Sequence, residues 1–76
     1  RKGINVNCIA PGYFETTYAH VLKTDPVRGP QILDRIPQGR WGDPAELAGL
    51  AVFLASDASR YMNGSVLAID GGWLAR

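Results

Sequence analysis

The chain has 76 residues, a hydrophobic share of 46%, a charged share of 20%, a net charge of +1 and a single cysteine. These values fit a folded soluble segment and exclude a disordered chain, a basic nucleic-acid face, a membrane span and an internal disulfide. At this length folding buries only about 60% of the unfolded surface, so stability as an isolated unit is marginal.

The first predicted element is a strand. Ile4, Val6 and Cys8 alternate with Asn5 and Asn7, and Ile9 and Ala10 carry the apolar run to Pro11. Ligands of open α/β sheets sit beyond the carboxyl ends of parallel strands. The Pro11-Gly12 turn, with the Thr16 hydroxyl behind it, therefore reads as a cofactor edge. A strand this close to Arg1, with no initiator Met, reads as part of a longer protein. From Thr17 to Pro37 the pattern is loose and punctuated by Asp25-Pro26 and Gly29-Pro30. Short helical turns are expected around Tyr18 to Leu22 and Pro30 to Arg35, in a segment suited to a surface connector or a substrate lid.

Asp43 can cap the next helix, Pro44 suits its first turn, and Glu46 completes a capping-box spacing. The helix is expected to run from Pro44 to about Ser56. Leu47, Ala48, Leu50, Ala51, Val52 and Phe53 make it apolar nearly all round, as in a helix buried on more than one side. Asn63-Gly64 marks a turn, and Val66-Leu67-Ala68-Ile69 reads as a parallel strand covered on both faces. Asp70-Gly71-Gly72 ends it, with Trp73 to Arg76 as a tail. Two such strands cannot hide both faces, so further strands are expected from elsewhere in an α/β sheet.

Three stretches in this order resemble the C-terminal part of the short-chain dehydrogenase/reductase family. They are Asn5-Val6-Asn7 through Pro11-Gly12 to Thr16, then Gly39-Arg40-Trp41-Gly42-Asp43-Pro44-Ala45-Glu46-Leu47 with Val52-Phe53-Leu54-Ala55-Ser56, then Asn63-Gly64 with Asp70-Gly71-Gly72. Within the family the chain is most similar to sugar-acid dehydrogenases, through Ile32 to Pro37, Gly39 to Gly42 and the ending Gly71 to Arg76. The resemblance covers essentially the whole chain.

It implies a Rossmann-type, doubly wound parallel sheet in which residues 1–76 form the C-terminal segment of one NAD(P)-binding domain. The implied reaction is hydride transfer between NAD(P), with NAD favoured, and a keto or hydroxy sugar acid. An acyl-carrier-protein ketoreductase or a gluconate dehydrogenase is the alternative within the family. Cofactor contacts fall on Pro11, Gly12, Phe14 (through its backbone) and Thr16. The family's glycine-rich loop, catalytic Ser and Tyr-x-x-x-Lys have no counterpart here, since Tyr13, Tyr18 and Tyr61 all lack the following Lys. No catalytic residue and no metal ligand is assigned, and the segment alone is expected to be inactive. A cytoplasmic homotetramer is implied, with contacts from the helix Pro44 to Ser56, the strand Val66 to Ile69 and the tail Trp73 to Arg76. A reading from a different class makes the chain a non-catalytic interaction module docking through the same helix and strand.

Four cations, Lys23, Arg28, Arg35 and Arg40, are candidates for a substrate carboxylate. For each of them a solvated surface charge is the commoner role, and none is singled out. His20 reads as a surface histidine, Cys8 as an inert core residue, and Asn63-Gly64-Ser65 as a turn rather than a glycosylation site. Trp73 and Leu74 read as sheet-edge or, preferably, subunit-interface residues.

Overall fold

The structure is a computed structural model and describes residues 2–75. Its order is β1 (Cys8–Pro11), α1 (His20–Thr24), α2 (Arg28–Asp34), α3 (Pro44–Ala55), a 3₁₀ turn (Asp57–Ser59), β2 (Val66–Ile69) and a second 3₁₀ turn (Trp73–Ala75). The two strands pair in parallel, Cys8 opposite Val66 and Pro11 opposite Ile69. This is the expected α/β arrangement.

The first strand is shorter than its alternation predicts, and it takes in Pro11. Residues 4–7 run beside residues 60–65 but hold to them largely through amide side chains. Asn5 Nδ2 donates to the Arg60 carbonyl at 2.9 Å, and the Val6 N–H donates to Asn63 Oδ1 at 2.9 Å. Asn7 Nδ2 donates to the Met62 carbonyl at 3.2 Å, while Asn7 Oδ1 accepts the Ser65 N–H at 3.0 Å. The alternation that looked like a strand face is a row of polar clasps leading into the ladder. Cys8 is exposed rather than in a core, because among the described residues its strand has one sheet neighbour and no covering helix.

Helix α3 begins as its sequence requires. Asp43 accepts the Ala45 N–H at 3.0 Å, Glu46 accepts the Asp43 N–H at 2.8 Å, and Pro44 fills the first turn. It ends at Ser56, whose hydroxyl donates to the Phe53 carbonyl at 2.8 Å; the buried Ser59 hydroxyl donates to the Leu54 carbonyl at 3.0 Å. These bonds occupy carbonyls that a helix end otherwise leaves unpaired. No residue of α3 is buried, and Val52 is 68% exposed. The chain measures 50 × 26 × 16 Å with a radius of gyration of 14.9 Å. A compact chain of this length would have a radius near 11 Å. The helix is the apolar, uncovered arm.

The core lies where the sequence pattern was loosest. Ile32, Ile36 and Trp41 are buried together, and Tyr13, Ala19, Leu22 and Trp73 pack on them. Helix α1 falls slightly later than expected and α2 slightly earlier, and they supply Leu22 and Ile32 to this cluster. Asp25 sets the turn between them: its Oδ1 accepts the N–H groups of Val27 and Arg28 at 2.9 and 2.8 Å. Those bonds hold its carboxyl below the usual carboxylate range. The segment from Thr17 to Pro37 is thus a packed structure rather than a loose loop. Trp73 is half-buried against this chain's own cluster, and Leu74 is 69% exposed. Arg76, the last residue of the expected interface tail, lies outside the described residues.

Candidate functional site

The site grows from the carboxyl ends of the parallel strands. The Gly12 N–H donates to the Ile69 carbonyl at 3.1 Å, extending the ladder one residue past Pro11. At that point the two chains nearly touch. A Cβ built on Gly12 would lie 2.7 Å from Asp70 Cβ and 2.8 Å from Asp70 Cα. Only glycine fits there, and the constraint is close backbone approach rather than unusual torsion.

Beyond the turn, Phe14 and Gly42 form a parallel bridge. The Glu15 N–H donates to the Gly42 carbonyl at 2.8 Å, and the Gly42 N–H donates to the Tyr13 carbonyl at 2.9 Å. The bridge uses groups on either side of Phe14, so the N–H and C=O of Phe14 itself point away from Gly42. The carbonyl accepts the Thr16 N–H at 2.9 Å; the Phe14 N–H makes no hydrogen bond among the described residues. The Phe14 ring is 7% exposed and fills the space where a Gly42 side chain would stand. Thr16 Oγ1 accepts the Ala19 N–H at 3.1 Å, which leaves the hydroxyl proton free to donate outward.

The four residues singled out from sequence line three neighbouring depressions rather than one. Pro11 and Gly12 border a cavity of about 350 Å³ with Tyr13, Asp70, Trp73 and Leu74. Phe14 borders one of about 310 Å³ with Tyr13, Arg40, Gly42, Glu46 and Asp70. Thr16 borders one of about 390 Å³ with Glu15, Thr17, His20 and Lys23. Exposed His20 sits at this third rim, and Lys23 is paired with Glu15.

Tyr13 and Asp70 are the residues the sequence reading missed. Tyr13 lines two of the cavities and meets Trp41 edge-on and Trp73 at a tilt, with ring centroids 5.3 and 5.1 Å away. Its place inside the Pro-Gly-x-x-x-Thr stretch was the available signal. Asp70 Oδ1 accepts the Gly72 N–H at 2.9 Å, and Oδ2 accepts the Leu74 N–H at 3.2 Å. The Asp-Gly-Gly ending is therefore a side-chain-tied turn. Gly72, at φ 97°, leaves room for the Pro37 ring, which a Cβ there would meet at 2.9 Å, and the Gln38 N–H donates to the Gly71 carbonyl at 3.0 Å. This turn joins the strand ends to the base of the α1–α2 segment.

Arg40 grips Glu46 with both terminal nitrogens, at 2.7 and 2.9 Å. Those bonds first, and the Asp43 N–H second, hold the Glu46 carboxyl down at about 2, and Glu46 in turn raises Arg40. A depressed carboxylate contributes stability above its unfolded value, and that contribution is lost as pH falls through the folded value. The pair is therefore expected to persist below pH 4.5 and to open near pH 2. Carboxyl-carbon NMR titration of Glu46 checks this: a midpoint near 2 is expected, rising toward 4 in Arg40→Met. A midpoint near 4 in the unaltered protein refutes it. Because both groups are largely solvent-exposed, added salt should raise the midpoint.

The sequence model of the family described as enoyl-(acyl carrier protein) reductase matches residues 1–74. The 2-dehydro-3-deoxy-D-gluconate 5-dehydrogenases of Pseudoalteromonas atlantica and Escherichia coli are 57% and 58% identical, over 99% and 100% of the chain and 30% of each relative. The gluconate 5-dehydrogenase of Gluconobacter oxydans is 47% identical over 95% of the chain and 28% of its own length. The chain thus spans about 30% of the length of the curated relatives it matches. Among solved structures, a protein of Agrobacterium tumefaciens assigned as a 2-deoxy-D-gluconate 3-dehydrogenase, with bound NADP, superposes with a TM-score of 0.96 at 57% identity. That match covers 99% of this chain and 30% of the solved one. A gluconate 5-dehydrogenase of Burkholderia cenocepacia, in complex with NADP and tartrate, gives a TM-score of 0.88 at 45% identity, covering 96% and 29%. The two-stranded unit is accordingly a segment of a Rossmann-type sheet, and the chain belongs to the short-chain dehydrogenase/reductase family.

Proposed function

We propose that the complete protein to which this chain contributes transfers a hydride between a nicotinamide cofactor and a keto or hydroxy sugar acid of the 2-dehydro-3-deoxy-D-gluconate type. The observation that carries this reading is identity of 55–59% over at least 99% of the chain to 2-dehydro-3-deoxy-D-gluconate 5-dehydrogenases of four bacteria. The matched region includes the α1–α2 segment and the tail, the parts that border the cavities.

Residues 1–76 then form the C-terminal segment of one NAD(P)-binding domain, with the glycine-rich loop and the Ser and Tyr-x-x-x-Lys chemistry supplied by the rest of it. The nicotinamide supplies or accepts the hydride. This chain's own residues are suited to fixing the cofactor's carboxamide edge. Among the described residues the outward Phe14 N–H is a donor without an acceptor, the Phe14 carbonyl has a second lone pair, and the Thr16 hydroxyl has an uncommitted proton. Pro11 and Gly12 bring this backbone up to the strand ends, where the ring would lie. The segment alone holds no group placed for proton transfer to the carbonyl and is inactive in this reading. NAD is the favoured cofactor; since relatives are solved with NADP and one, a 4-hydroxyisoleucine dehydrogenase, with NADH, both cofactors belong in the assay. Exposed Val52, Phe53 and Val66 support burial of α3 and β2, by the remainder of the domain and by neighbouring subunits of a cytoplasmic homotetramer.

The test is steady-state oxidation of NADH and NADPH by the full-length enzyme with a panel of keto-sugar acids, 5-ketogluconate and an acetoacetyl thioester. Preference for the 3-deoxy sugar acid is expected, with kcat/KM higher for NADH. Turnover of the thioester alone overturns the sugar-acid reading, and turnover of 5-ketogluconate alone reassigns the substrate to the gluconate dehydrogenases. A full-length protein inactive on the whole panel leaves the interaction-module alternative.

A further inference from the structure

Among the described cations, one is seated over an aromatic ring with its hydrogen-bonding edge unspent. Arg40 is committed to Glu46 and Lys23 to Glu15. Arg28 stands beside Asp25 at the α1–α2 turn, where its charge acts on that carboxylate. Arg60 lies at the amino end of the strands, its carbonyl clasped by Asn5. Lys2 lies in the same entry segment, ahead of β1, and so at the end remote from Gly12 and Asp70.

Arg35 differs from all of these. It caps α2, its N–H bonded to the Ile32 and Leu33 carbonyls, and its guanidinium carbon sits 4.2 Å over the centre of the Trp73 ring. Among the described residues no carboxylate pairs with it and its side chain makes no hydrogen bond. Stacking fixes the plane of a guanidinium by its face while leaving its five N–H donors along the edge. That is the preorganised form of a carboxylate receptor. The platform leads back to the candidate cofactor turn: Trp73 meets Tyr13 at 5.1 Å, and both rings wall the cavity beside Pro11 and Gly12. The one acidic side chain on that wall, Asp70, has both oxygens engaged by the Gly72 and Leu74 N–H groups.

We propose that Arg35, seated over the Trp73 ring, is the residue that binds the substrate's carboxylate and sets the preference for acids over neutral sugars. This rests on the sugar-acid reading of the same site. The ligand chemistry is a carboxylate gripped by two parallel N–H bonds at the end of a short polyol, with Tyr13 between it and the cofactor turn.

The experiment compares full-length enzyme with its Arg35→Met and Arg35→Lys variants on a keto-sugar acid and on its neutral methyl ester. In the unaltered enzyme the acid is preferred. In Arg35→Met the KM for the acid should rise about 10- to 100-fold, the usual worth of a hydrogen-bonded charge. The ester's kcat/KM and the KM for the nicotinamide cofactor should stay within twofold. Arg35→Lys should recover only part of the preference, since an ammonium cannot present the paired edge. If Arg35→Met keeps the unaltered enzyme's acid-to-ester ratio, Arg35 is not the receptor, while the sugar-acid activity stands. If the unaltered enzyme itself shows no preference for the acid, the sugar-acid reading fails and the assignment of Arg35 falls with it.

Discussion

Replacing Gly12 with alanine in the full-length enzyme is expected to lower kcat/KM about 100-fold, with most of the loss in cofactor binding. The added methyl meets Asp70 Cβ at 2.7 Å and, more importantly, backbone Cα at 2.8 Å. Side-chain motion cannot relieve a contact with main chain, so the two strand ends must separate. Three things move together if they do: the Gly12 to Ile69 ladder bond, the outward Phe14 N–H and the tail turn tied by Asp70. A displacement of about 1 Å in a group that positions a reactant costs on the order of 100-fold in rate. Overpacking of this kind also costs about 1–3 kcal/mol in stability. Cofactor titration by fluorescence, alongside steady-state kinetics, checks the prediction. A variant that binds NADH or NADPH with unchanged affinity would show that the turn does not carry the cofactor edge.

The second large effect is expected at Trp41. It is 6% exposed, sits in one cluster with Ile32 and Ile36, and meets the Tyr13 ring edge-on at 69°. Trp41→Ala should cost about 3–5 kcal/mol, because the lost burial is compounded by a cavity that the short helices α1 and α2 cannot close. In the full-length enzyme that corresponds to a Tm lower by about 6–20 °C. Trp41→Phe keeps an aromatic edge for Tyr13 and should recover more than half of the loss. A Tm change under 2 °C in Trp41→Ala would mean that the cluster is not where the stability of this region resides.

How much of this was legible in the sequence depended on whether the cause was local. Helix α3 was readable to within a residue, because Asp43, Pro44 and Glu46 act on backbone groups within one turn. Strand β2 was readable because four consecutive apolar residues between Asn63-Gly64 and Asp70-Gly71-Gly72 leave few alternatives. The α1–α2 segment was under-read, since its order comes from Ile32, Ile36, Trp41 and Trp73 meeting across long stretches of chain. No periodicity announces such a meeting. The Asn5-Val6-Asn7 stretch was misread for the opposite reason: its period of two is real, but the asparagines serve as clasps rather than as a solvent face. At the site, the Pro11-Gly12 turn with the Thr16 hydroxyl behind it could be read from the residues and Phe14 only through the family resemblance, whereas the pairing of Gly12 with Asp70 needs the register of two strands 58 residues apart.

The Tyr13, Trp41 and Trp73 cluster has a practical meaning for recombining relatives of this protein. Its rings come from the cofactor turn, the loop ahead of α3 and the tail, so one packing unit is written in three distant parts of the chain. A chimaera with its crossover between Trp41 and Trp73 would place one parent's turn and loop against the other parent's tail. The platform under Arg35 would then be assembled from rings of two different ancestries. Exchanging residues 13–42 and 70–75 as a matched set keeps that platform whole, while the apolar helix α3 should stay with the parent that supplies the remainder of the domain.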